Sequence, residues 1–75
     1  MKTYVPKAAS VCHDVLQKDM QHVVAFDNKT DTRRFCTKIR TYITRHNLQK
    51  QIRQTILPTV YDDEIIYIVI VDKKY

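Results

Sequence analysis

Glycine is absent from all 75 residues of this chain. Phosphate-cradling loops rely on glycine to bring backbone amides against the ligand, so mononucleotide and dinucleotide loops of the usual kind are excluded, and most cofactor enzymes with them. No cofactor is expected. Turns fall instead to Asn28, Asn47, Asp62 and Asp63, whose short polar side chains tolerate turn conformations better than most residues. Tryptophan is also absent, and the longest apolar run, Ile65 to Val71, is far shorter than the roughly 20 residues of a membrane-spanning helix. Met1 to Val5 lacks the apolar core of a secretion signal, so the expected setting is cytoplasmic, away from any membrane. Asn28-Lys29-Thr30 fits the glycosylation acceptor pattern and is read as a turn.

Ligand spacings for a metal are missing as well. Cys12, His13, His22, Cys36 and His46 include no pair at the separations of structural zinc sites, so no metal is expected. Both cysteines fall at apolar positions of helical patterns and read as small core side chains. If the two helices form an antiparallel hairpin turning near Asn28, the cysteines stand about 13 Å out of register, beyond disulfide reach. No serine or cysteine has a base at a spacing that sequence can place beside it, which leaves covalent catalysis without support. Asp62, Asp63 and Glu64, with the Asp72/Lys74 pair beyond them, form a pattern that metal-dependent nucleases also use. Acids at a hairpin turn and lysines at a chain end more commonly solubilise a strand, and the chain is read as a non-enzyme.

Acids are scarcest where bases are densest. Residues 29–53 hold eight Lys and Arg against the single Asp31, a local balance of 8 − 1 = +7 in a chain of net charge +5, so the rest sums to −2. Such polarity favours a polyanionic partner, whether nucleic acid, an acidic protein surface or anionic lipid, with nucleic acid or an acidic protein surface the expected one. With residues 31–46 helical, Arg34, Lys38, Thr41 and Arg45 fall within about 60° of one another, opposite a stripe of Phe35, Cys36, Ile39, Tyr42, Ile43 and His46. A helix that is merely solvated usually interleaves Glu or Asp with its Lys and Arg at i to i+4 spacing; this one has none after its first turn. Five tyrosines accompany the charge. Tyr42 is the one beside the basic row, where it can stack on bases or pack with its hydroxyl at the surface.

Apolar spacing predicts the elements. Pro6 suits a first helical turn, and Ala8, Val11, Cys12, Val15, Leu16, Met20, Val23 and Val24 recur at helical period, giving a first helix over 7–25. A second helix follows, capped by Thr30 or Asp31 and ended near His46 with Asn47 as a left-handed terminator. Residues 52–60 read as an edge strand because Pro58 cannot donate a ladder hydrogen bond, and Glu64 to Asp72 as its hairpin partner; a helical reading of 48–57 stays open. Lys2 to Val5 is a candidate third strand. The fold expected is α+β in one small domain over 1–75: two antiparallel helices packed on a small antiparallel sheet with a C-terminal β-hairpin. The last strand is apolar on both faces, and helices can cover only one. Ile65, Tyr67, Val69 and Val71 are therefore assigned to an oligomer interface, with a homodimer or dedicated partner as the expected occupant.

The function expected is that of a small binding protein that lays its basic helix along nucleic-acid phosphates through Arg33, Arg34, Lys38, Arg40, Thr41, Arg45, Lys50 and Arg53. The alternative is a compact inhibitor or adaptor, of the kind viruses and mobile elements encode. It would dock the same helix on an acidic or nucleic-acid-binding groove of a larger protein.

Overall fold

The computed structural model describes residues 5–74, ordered as α1 (Ala8–Gln17), β1 (His22–Phe26), α2 (Lys29–Arg45), β2 (Ile52–Tyr61) and β3 (Glu64–Lys73). The sheet is fully antiparallel in the order β1-β3-β2, and β2 with β3 forms a C-terminal hairpin. The fold is α+β, as the sequence pattern implies. Pro58 lies on an edge strand, where its missing donor costs no ladder bond.

The first helix is shorter than its apolar spacing predicts. It spans Ala8–Gln17, not 7–25, and the missing third strand is His22–Phe26; of the candidate Lys2–Val5, Val5 is not in a strand and the rest lies outside the described residues. The break comes at Asp19, which takes φ 54 and turns the chain out of the helix. The Lys18 and Met20 amides both donate to the Asp14 carbonyl, so the last turn is satisfied without a glycine. Asp14 then ties helix to strand: His22 Nε2 lies 3.1 Å from its carboxylate and Lys18 Nζ 3.5 Å. The hydrogen bond to His22 holds the Asp14 carboxyl below the ordinary carboxylate range, with burial opposing it and Lys18 adding to it. A carboxyl lowered on folding stabilises the fold above its ordinary pKa, and that contribution fades as the solution is acidified through the depressed value.

α2 begins two residues earlier than expected, because Asn28 and not Thr30 or Asp31 is its cap. Asn28 Oδ1 accepts from the Asp31 amide at 2.8 Å, and Asp31 answers through its carboxylate to Asn28 Nδ2 at 3.0 Å. Asn28→Ala removes both bonds and is expected to cost about 1 kcal/mol, read as a lowered urea midpoint with an unchanged slope. The far end is a Schellman motif: Asn47 at φ 54, its amide on Thr44 O at 3.3 Å, and the Leu48 amide on Ile43 O at 2.9 Å. Leu48 also packs against the core, which carries the chain off the helix axis and into β2.

The core lies between the helices and one face of the sheet. α1 supplies Val11, Cys12 and Val15; α2 supplies Phe35, Cys36, Ile39 and Ile43; the sheet answers with Val24, Phe26, Ile52, Val69 and Val71. Phe26 and Phe35 meet with ring centroids 5.5 Å apart. Val69 and Val71 are fully buried here, so the assignment of their face to an oligomer interface is corrected. Alternation along β3 separates two apolar faces but does not say which one the helices take. The face left uncovered is the other one, carrying Ile66, Ile68 and Ile70 of β3, Val23 of β1 and Leu57 of β2.

The hairpin also outruns the helical layer. β1 reaches only residues 67–71 of β3, and beyond them Val60 and Ile65, although on the helix side, are 72 % and 56 % exposed. Asp62 and Asp63 close the arm with φ 52 and 61, the pair of positive values that a two-residue type I′ hairpin requires. The molecule is correspondingly elongated, 38 × 21 × 19 Å.

Candidate nucleic-acid interface

α2 buries Thr32, Phe35, Cys36, Ile39 and Ile43 toward the sheet, a stripe at i, i+3, i+4, i+7 and i+11, and this alone decides which side chains face out. Arg33, Arg34, Lys38, Arg40, Thr41 and Arg45 are all exposed. Arg34, Lys38, Thr41 and Arg45 share one row that runs about 16 Å along the axis, long enough to pass several phosphates. Arg33 and Arg40 start a second row about 100° round the helix. Among the described residues none of these five cations is in an ion pair, and the helix holds no acid after Asp31. The guanidinium and ammonium donors are thus fully available to an outside anion.

Two of the expected members stand apart. Lys50 is exposed in the connection between α2 and β2. Arg53 lies on the uncovered face of the sheet, where it meets Asp72 through two hydrogen bonds, Nη2 to Oδ2 at 2.7 Å and Nε to Oδ1 at 3.2 Å. The pair holds the Asp72 carboxyl below its ordinary range and raises the Arg53 guanidinium. Arg53 is therefore neutralised within the protein and does not belong to the α2 surface. Its partner is directly across the ladder, a relation visible only once the β2–β3 register is known.

One residue was placed on the wrong side by helical phase. His46 belongs to the predicted buried stripe but is exposed, because α2 ends at Arg45 and the chain turns there. Its ring stacks on Tyr42 with centroids 4.2 Å apart and planes 33° apart. The pair borders a shallow groove of about 470 Å³ between the start of α1 and the outer face of α2, where Ala8, Thr37 and Thr41 lie beside Lys38 and Arg45. Aromatic edges next to phosphate-binding cations are what a strand with unpaired bases can use.

The cysteines take no part in this surface. Burial pushes the Cys12 thiol up to about 11; burial also raises Cys36, although the nearby Arg40 charge partly opposes it. Both are free and buried, and thiols held protonated react slowly. A thiol reagent at pH 8 is therefore expected to leave the native chain unlabelled and to modify both cysteines in denaturant; rapid labelling of the folded protein would contradict this placement. Among the described residues, no three His, Cys, Asp or Glu side chains converge on a point where a metal ion could sit, and no helix is long and apolar enough to cross a membrane. Comparison with known proteins found no matching family model, no matching characterised protein and no matching solved structure.

Proposed function

We propose that this is a small non-enzymatic nucleic-acid-binding protein whose α2 lays Arg34, Lys38 and Arg45 along a phosphate backbone, with Thr41 donating between them and Arg33, Arg40 and Lys50 flanking. The observation that carries the reading is the exposed, acid-free row on α2, in which no cation has an ion-pair partner among the described residues. Contacts of this kind give affinity with little base sequence information, because phosphates look alike. The protein acts as a homodimer in this reading, so one particle carries two such helices and engages twice the phosphates without a new kind of contact.

A basic helix can also seat in an acidic groove of a larger protein, with the same cations. The two are separated by mixing the intact chain with fluorescently labelled single-stranded and duplex oligonucleotides at 50 mM salt and following anisotropy. Binding to either oligonucleotide, lost on adding concentrated salt, is the expected result. No binding to either would reject the nucleic-acid reading and leave the protein-groove alternative.

A further inference from the structure

We infer that the uncovered face of the sheet is a homodimer interface, in which a second copy of this chain packs its own sheet face to face. It stands independently of the nucleic-acid reading, because α2 lies on the opposite side of the sheet.

The surface comes from the register. Residues Val23 of β1, Leu57 of β2 and Ile66, Ile68 and Ile70 of β3 share one side, opposite the side that packs on α1 and α2 among the described residues. Val23 and Leu57 are 57 % and 46 % exposed, and the three isoleucines are partly buried. Ile68 sits at the middle, with Ala25 on one side and Leu57 on the other. Ten-residue strands at about 3.3 Å per residue and 4.8 Å apart, with the shorter β1 beside them, give a patch of roughly 400 Å² in projection. Side-chain relief makes the accessible area larger than the projection. This brings the face within reach of the roughly 600 Å² per partner at the low end of stable interfaces, and its apolar centre is of a size that is often functional on a protein surface.

Charge selects the occupant. The chain carries net charge +5, so two copies repel through most of their surfaces. This face is different: its central strip, from Thr55 to Thr59 on β2 and Ile66 to Ile70 on β3, has no formal charge, at one end Arg53 and Asp72 cancel each other, and at the other stands Glu64, opposite in sign to the chain's net charge. Like-charged copies can therefore meet here at the least electrostatic cost, with each basic α2 turned outward. An anionic lipid surface would want cations at the rim of the apolar patch, and the unpaired cations of α2 stand on the other layer. A patch centred on one strand is also self-complementary under a two-fold axis through Ile68, the symmetry of most dimers.

Sedimentation equilibrium of the intact chain across the micromolar range tests this. The expected mass at high concentration is twice the 9.0 kDa of one chain. Leu57→Lys and Val23→Lys are each expected to give a monomer with unchanged circular dichroism, whereas Val60→Lys, at 72 % exposure on the other face of the hairpin arm, remains dimeric. Should a lysine variant lose its fold, Ile68→Cys supplies a second readout. A short bismaleimide then couples two chains through that position, since Cys12 and Cys36 are 1 % and 5 % exposed. A monomeric unmodified chain, a dimer that survives Leu57→Lys and Val23→Lys, loss of the dimer in Val60→Lys alone, or no coupling through Ile68→Cys would each overturn the proposal.

Discussion

Ile39→Ala is expected to remove about 4 kcal/mol of stability, a loss near the top of the range for a core truncation. Among the described residues, Ile39 is the largest side chain with no exposure at all, and it belongs to the core that α1, α2 and the sheet build together. Truncation loses the transfer energy of three carbons and leaves a cavity that close-packed neighbours cannot fill, which together cost about 2 to 5 kcal/mol. A chain of this size has a total of only about 4 to 11 kcal/mol, so the variant should lose a third or more of its stability and unfold at a much lower urea concentration. The contrast is Val60→Ala on the hairpin arm. At 72 % exposure Val60 makes little packing to lose, and a change within about 0.5 kcal/mol is expected. Urea unfolding of both variants at one protein concentration checks the pair, since self-association would make stability depend on concentration. Equal losses in the two would mean that the core does not lie between α2 and the sheet.

The second large effect is on binding. Replacing Arg34, Lys38 and Arg45 together with Gln keeps good helix formers at three exposed positions, so the fold should persist with little change in stability. Nucleic-acid affinity should fall steeply. Each cation withdrawn from a phosphate lowers the slope of log affinity against log salt by about 0.7 to 0.9, so the triple variant should lose about 2 to 3 units. Arg53→Gln is the control. Its guanidinium is held by Asp72 on the far side of the sheet, so the salt slope should stay as it is. A matching loss from Arg53→Gln would indicate general charge attraction without a defined row.

The hairpin and α2 were legible because their signals are local. Pro58 demands an edge, the β-branched run after Asp62-Asp63 demands a strand, and the stripe from Phe35 to Ile43 has an unbroken helical period. The basic row follows from that same period and needs no tertiary information. β1 was hidden for the opposite reason. Val23 and Val24 fall in phase with Val11, Val15 and Leu16, and the chain leaves the helix at Asp19, an ordinary polar residue where glycine usually marks such an exit. A strand of five residues offers too few alternations to outweigh a long helical pattern. The choice of faces on β3 was beyond local reasoning altogether. Both sides of the strand are apolar, and only the pairing of Val24 with Val69, together with the placement of α1 and α2, makes Val69 and Val71 core and leaves Ile66, Ile68 and Ile70 outside. The same long-range dependence removes Arg53 from the site, through a cross-strand partner 19 residues away.

The most direct test of the central claim, that the outer face of α2 binds phosphates, is the anisotropy of a labelled single-stranded oligonucleotide titrated with the unmodified chain at a series of salt concentrations. A straight line of log affinity against log salt, with a slope of about −2 to −4 that the Arg34, Lys38 and Arg45 triple variant makes shallower by about 2 to 3 units, is the predicted result. A flat line, or a slope the triple variant leaves unchanged, would contradict it.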